Sequence, residues 1–527
     1  MKKKLILVFL FALVVCSCEN LTKGLFSGVI LPTAETIPIG GGVYKVPDNF
    51  KNNLNNPDGI SVWTTRSNAA QSDELGKKYS GVLGLRPYLE GYATVGNENL
   101  GSYRIPSITK TKLPDGKTRL ICAFDVRYRG MHNGGGDVGA GSDAGSDITV
   151  MYSDDEGSTW TVAINKKTGK KPAIDVDNTY DGDGVTKSHT KENTLDVCDP
   201  QLTVFPDGTI YCGMAAGGGN LQTAYSNFRV WKSTDNGETW EEHEHSSAGN
   251  VRTDTFFHKW MKNVAASGQF KTGITTPGHG IVLGKDVPNS PLFKAGQVVM
   301  PIFLNGTPSG TQYSHIKDRG GMYLATGLAA DPFDWDTSNF YKTYTKWDNT
   351  HQEESQICQL DDGSILMYGK NLTNDQFSRY RDGKWTILPT SNISNGQNCQ
   401  SGLLKVADGD GTSKYGVVAF SYSGNAAANA KDLKQGAGRG NITICLARDI
   451  SAKPGTGPSD VPLDETEPYY LKIRTKSQSY FGYTDMVMIT DTILGIIYET
   501  YDAEQNINGM RFLRIDIGAI IKELSQV

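Results

Sequence analysis

The pattern Ser-x-Asp-x-Gly-x-Thr-Trp occurs twice, at 153–160 (SDDEGSTW) and at 233–240 (STDNGETW). Five fixed positions matched twice in a chain of 527 residues are beyond chance, so the copies mark a repeated piece of architecture. The residue types are those of a tight hairpin. An Asp carboxylate can accept backbone N–H bonds, a Gly two positions on can take a positive φ, and the Trp can fold under the turn. A strand-like run precedes each copy, DITVMYS and NFRVWKS, so each motif joins two strands of one sheet.

Similar short strands recur almost to the C-terminus, among them RLICAFDVRY, QLTVFPDGTIYCGM, QICQLDDGSILMYGK, YGVVAFSYS and TILGIIYET. Asp-Gly dipeptides at 115, 207, 362 and 382 punctuate them as hairpin turns. A run of about 430 residues of this kind is too long for one sandwich and predicts an all-β fold, a six-bladed β-propeller. Two polar insertions, 165–196 and 243–278, read as loops on its rim, and only the closing IGAIIKELSQV reads as helix.

The N-terminus, MKKKLILVFLFALVVCSCEN, has three lysines and then an apolar run at 5–15 that is too short to span a bilayer. Residues 1–17 are therefore predicted to be an export signal. The VCSC ending resembles a bacterial lipoprotein box, which implies Cys18 as the lipidated residue and a membrane as a partner. Residues 18–91 are polar and irregular and read as a tether; 92–527 form the propeller. A net charge of −5 without a basic block weighs against nucleic acid as a partner. Outside the signal region the cysteines are widely spaced with no C-x-x-C pair, which argues for buried thiols and against zinc.

One further motif carries chemistry. YRIPSI, with Arg104 leading a strand, stands upstream of the two Asp motifs, and the combination resembles the exo-α-sialidase (neuraminidase) family of bacteria over roughly 92–516. The resemblance implies a glycoside hydrolase that removes terminal α-linked sialic acid from glycans without a cofactor or catalytic metal. It also implies retention of configuration through a sialosyl-tyrosine.

Residue by residue, the resemblance implies Arg104 and, in GRGNITICLARD, Arg439 as two of three cations for the substrate carboxylate. Guanidinium forks suit that task because they are planar and permanently charged. At the third position the chain departs from the family: counting from Glu354 in EESQ lands on Lys370, with Arg379 as the alternative. Tyr483 in GYTDMVM is implied as nucleophile and Glu354 as its base, with Glu353 adjacent. A phenol escapes the repulsion that an anionic nucleophile would meet from the substrate carboxylate, but with a pKa of ~10 it needs that base. Glu499 in IIYET is implied as the partner of Arg104, Arg127 as a residue bordering the pocket, and Asp199 in DPQL as a contact to the O4 and N-acetyl side of the sugar. For the acid/base, the Gly-rich stretch HNGGGDVGAGSDAGSDITV leaves Asp143 as the first choice and Asp137 as its rival, with Asp147 better suited to a structural role. The other readings are a sialic-acid-binding propeller without catalysis and a different Asp-box glycosidase, whose neutral substrate would leave the cations unexplained.

Overall fold

The computed structural model describes residues 36–38, 42–46, 48, 50, 62–63, 81–84, 102–127, 146–169, 171–174, 196–217, 227–243, 272–305, 321–325, 353–370, 376–389, 400–424, 440–473, 482–502 and 507–527. Among them the chain is β-structure with one α-helix, Gly518–Leu524. The strands form six sheets in a propeller-like arrangement. Four contain a complete up-and-down meander of four antiparallel strands. The first sheet runs through Ser102–Lys112, Thr118–Arg127, Ser146–Ser153 and Thr159–Val162. The second uses Asp196–Val204, Ile210–Gly217, Asn227–Ser233 and Thr239–Glu242. The fourth uses Glu353–Gln359, Ile365–Lys370, Gln376–Arg381 and Lys384–Ile387, and the fifth Leu403–Ala407, Gly416–Gly424, Gly440–Asp449 and Tyr469–Ile473. The third is built around Val298–Asn305, and the sixth around Thr484–Met488, Ile493–Asp502 and Ile507–Asp516.

Local chemistry explains the turns. In the first, second and fourth sheets the opening hairpin has the same loop (LPDGK, FPDGT, LDDGS), and the Asp side chain accepts the N–H two residues on, in Lys117, Thr209 and Ser364. The glycines that follow, Gly116, Gly208 and Gly363, have φ of 84°, 87° and 84°, a region that disfavours residues with a Cβ. The two Asp motifs are equally regular. Asp155 accepts from Thr159 N and Thr159 Oγ1, and Asp235 from Thr239 N and Thr239 Oγ1. The indoles of Trp160 and Trp240 donate to the carbonyls of Gly157 and Gly237 and are fully buried.

Strand Thr118–Arg127 shows why such strands read as nearly continuous apolar runs. Leu120, Cys122 and Phe124 face a cluster shared with Val487, Ile497 and Phe512 of the sixth sheet. Ile121 and Ala123, on the other face, join Leu202, Cys212 and Trp240 of the second. A sheet buried on both faces needs apolar residues at both phases of the period-2 alternation. Further layers join the third sheet to the fourth, the fourth to the fifth, and the fifth to the sixth, where Ile520 and Leu524 of the helix also pack. Burial pushes the thiols of Cys122, Cys212 and Cys358 above their ordinary value, as expected of packed cysteines.

Short strands from the 18–91 segment, read in sequence as a tether, belong to these sheets. Thr36–Pro38 pairs with Thr159–Val162, and Val62–Trp63 with Tyr469–Ile473. Tyr44–Lys45 and Gly81–Gly84 both pair with Ile507–Asp516. They give otherwise open sheet edges hydrogen-bond partners.

Candidate active site

Three first strands share a backbone irregularity. The pairing register shifts between Arg104 and Ser107, between Cys198 and Gln201, and between Glu353 and Gln356. Inside each shift one non-glycine residue has positive φ: Ile105 (58°), Asp199 (59°) and Glu354 (39°). Such conformations cost of order 1–3 kcal/mol and persist only where the surroundings impose them. A bulge of this kind re-aims the neighbouring side chains.

One buried carboxylate imposes the first of these conformations. Glu499 Oε1 accepts from Ile105 N (2.8 Å) and Arg104 Nε (3.2 Å), while its Oε2 accepts from Gly482 N (2.8 Å) and Tyr483 N (3.2 Å). It thereby ties the strand carrying Arg104 to the backbone of Tyr483. Ile105 packs against Tyr483, and the Arg104 guanidinium carbon lies 5.1 Å from the centroid of the Tyr483 ring. From the fourth sheet Glu354 completes the group: Tyr483 Oη donates to Glu354 Oε1 at 2.9 Å. A phenol bonded to a carboxylate can pass its proton along that bond, and a guanidinium beside the ring favours the phenolate left behind.

Asp199 is half-buried, and its N–H donates to Oδ1 of the fully buried Asp125 at 3.0 Å. Among the described residues, Asp125, Cys198 and Asp199 bring potential metal-ligating atoms within 4.8 Å of one another. Arg127 ends its strand opposite Ser102, and Asp147 is buried opposite Val126. The backbone of Lys370 lies opposite Glu353. Arg379 is committed elsewhere. It is fully buried and donates to Ser364 Oγ (2.8 Å), Gly457 O (3.0 Å) and Asp362 Oδ2 (2.5 Å), so it belongs to the Asp362–Gly363 hairpin and not to the Tyr483 group. Cys18, Asp137, Asp143 and Arg439 lie outside the described residues.

Sequence reasoning missed a polar layer next to the Tyr483–Glu354 pair. Asp485 and Gln356, each two residues beyond a member of the pair, are fully buried, and His279 lies between them with its Nδ1 2.9 Å from Asp485 Oδ1. Burial works against the imidazolium, but the Asp485 carboxylate outweighs it and holds His279 above its ordinary pKa. The available signal was a charged residue inside an apolar strand run, TDMVM.

No family model matches the chain, and no curated protein matches it by sequence. Solved structures do resemble it. The Hadza microbial sialidase Hz136 is 18% identical over 79% of this chain and 66% of its own, with a TM-score of 0.44. The leech intramolecular trans-sialidase, complexed with 2,7-anhydro-Neu5Ac, is 15% identical over 87% and 74%, with a TM-score of 0.48. An α-L-arabinanase of Penicillium chrysogenum is 11% identical over 80% and 98%, with a TM-score of 0.38. The chain thus spans just under two thirds of the Hadza sialidase structure. These likenesses are loose and reach a sialidase and an arabinanase alike, so the chemistry rests on the site's own residues.

Proposed function

We propose that the chain is an exported six-bladed β-propeller that hydrolyses terminal α-linked sialic acids from glycans with retention of configuration. The observation that carries this reading is the 2.9 Å bond from Tyr483 Oη to Glu354, made beside the Arg104 guanidinium. Most retaining glycosidases use a carboxylate nucleophile, and sialidases with a tyrosine are among the exceptions. A Tyr–Glu pair next to a buried arginine suits a sugar whose anomeric carbon bears a carboxylate: the neutral phenol can approach, and the guanidinium can hold the negative charge.

In the proposed reaction Arg104, with Arg439 and Lys370, binds the substrate carboxylate. Glu354 takes the phenol proton as Tyr483 Oη bonds to the anomeric carbon. The glycosidic C–O bond breaks, and the leaving oxygen takes a proton from Asp143, or from Asp137 if the loop is aligned one segment earlier. Water then attacks the sialosyl-tyrosine, giving its proton to the same Asp, and the released phenolate recovers its proton from Glu354. Glu499 keeps Arg104 and Tyr483 in register, while Arg127 and Asp199 border the sugar. A lipid on Cys18 would hold the enzyme at the cell envelope.

Incubation with a sialyl-lactose tests the reading. Release of free sialic acid is expected. Saturable binding of sialic acid without turnover would replace the hydrolase by a lectin.

A further inference from the structure

The tetrapeptide at 276–279 (TPGH) straddles the end of the 243–278 stretch expected to be a rim loop, yet in the structure Gly278–His279 pairs with Gln201–Leu202 of the second sheet and groups from several sheets converge on it. From the first sheet Ser107 Oγ donates to Gly278 O, and from the second Gln201 Nε2 donates to Thr276 O at 2.7 Å. Thr276 Oγ1 donates to Ser355 O of the fourth sheet at 2.7 Å. Gln400, next to the fifth sheet, donates to Pro277 O at 3.2 Å. The approach is close enough that a Cβ added at Gly278, where φ is 112°, would sit 2.1 Å from Gln356 Nε2.

His279 ends this hub and connects the strand that carries Glu354 to the strand that Tyr483 directly precedes. Its ring Nδ1 lies 2.9 Å from Asp485 Oδ1, two residues beyond Tyr483. Its main-chain N–H donates at 3.2 Å to Gln356 Oε1, two residues beyond Glu354, and Gln356 also donates back to Pro277 O. Asp485 is fixed in turn by Ile108 N of the first sheet, which donates to its Oδ2 at 2.8 Å. All three side chains are buried, and such a network, fully bonded, holds its members in one arrangement.

We propose that His279 is a positioning residue for the Tyr483–Glu354 pair: by bonding Asp485 with its ring and Gln356 with its backbone, it sets the separation of the strands that present the phenol and the carboxylate. The consequence for turnover rests on the sialidase reading, whereas the geometric claim does not. His279 touches neither substrate nor reacting atoms. It acts through the alignment of the 2.9 Å Tyr483–Glu354 bond.

The test uses the whole protein labelled with [13Cζ]tyrosine, with the Tyr483 resonance assigned from its loss in Tyr483→Phe. His279→Ala is expected to move that resonance and leave the bulk of the others in place. It should also lower kcat on an aryl sialoside about 10- to 100-fold, the scale of a small misplacement, with KM nearly unchanged. His279→Asn, which keeps a donor near the Nδ1 position, should largely restore both. An unmoved Tyr483 resonance in His279→Ala, or an Asn variant as impaired as the Ala variant, would overturn the proposal. If His279→Ala does not fold, the near-isosteric Asp485→Asn gives the same reading: the Tyr483 resonance must move, and its constancy refutes the positioning role. A resonance that responds in a protein with no sialoside turnover refutes the function and leaves the positioning standing. Turnover with a resonance that does not respond has the reverse meaning.

Discussion

The hydroxyl of Tyr483 donates to the carboxylate of Glu354 across 2.9 Å, although the two residues lie 129 positions apart in the chain. The contact depends on two separate backbone arrangements. Glu354 sits in a strand bulge with positive φ, and the backbone of Tyr483 is bonded to Glu499 from the following strand. Either arrangement can be disturbed without removing the hydroxyl or the carboxylate.

Glu499 accepts four N–H donors with its two oxygens, so Glu499→Ala leaves Arg104 and three backbone N–H groups without that acceptor. Removing one side of a buried, hydrogen-bonded charge pair costs about 3–5 kcal/mol. Urea unfolding should show a loss of that size, with kcat falling as well because Tyr483 is no longer held. Glu499→Gln keeps an acceptor and should lose less of both.

The two Asp motifs should affect stability and not turnover. Burial alone would raise the carboxyls of Asp155 and Asp235, but the hydrogen bonds each accepts outweigh it and hold both below the ordinary range. A depressed folded-state pKa means that the stabilisation is present above the unfolded value of ~3.9 and is lost as pH falls through the folded value. The Asp155→Asn, Asp235→Asn double variant should therefore be less stable at neutral pH and should lose less further stability on acidification than the parent. Equal slopes below about pH 4 would contradict this account of the turns.

Lys370 and Arg379 separate cleanly by phenotype. Arg379 is buried on Asp362, so Arg379→Ala is expected to cost about 3 kcal/mol of folding stability while KM for a sialoside stays near the parent value. Lys370→Ala should weaken substrate binding by about 1–3 kcal/mol, the range of a charge-assisted hydrogen bond, and Lys370→Arg should be tolerated. A damaging KM effect from Arg379→Ala with a silent Lys370→Ala would contradict the assignment.

For Asp143 the leaving group is the probe. An acid matters when a sugar alkoxide must depart and little when a phenolate does. Asp143→Ala should cost about 100- to 10,000-fold on a sialyl-lactose and far less on an aryl sialoside. If that pattern appears instead in Asp137→Ala, the acid is Asp137.

Much of this architecture was legible because its signals are local. The Asp-Gly turns and the Asp motifs contain their own donors and acceptors within five residues, and the doubly buried strands declare themselves by unbroken apolar runs such as LICAF. What was not legible depends on partners distant in the chain. Tyr44–Lys45 is too short to announce a strand, and its pairing is with Ile507–Asp516. Arg379 reads as an available cation until Asp362 and Gly457 are brought against it. The 276–279 hub straddles the end of a stretch that reads as a rim loop, and only the converging strands make its polar groups interior ones.

The central claim, that Tyr483 is the nucleophile of a retaining sialidase, is tested most directly by trapping. A fluorinated sialosyl donor slows breakdown of the covalent intermediate, so the intact protein should gain the mass of one fluorosialosyl group. Peptide mapping should place that mass on Tyr483, and Tyr483→Phe should remain unlabelled. A label on Glu354, Asp143 or any other residue, or hydrolysis of a sialoside by Tyr483→Phe at the parent rate, would contradict the account.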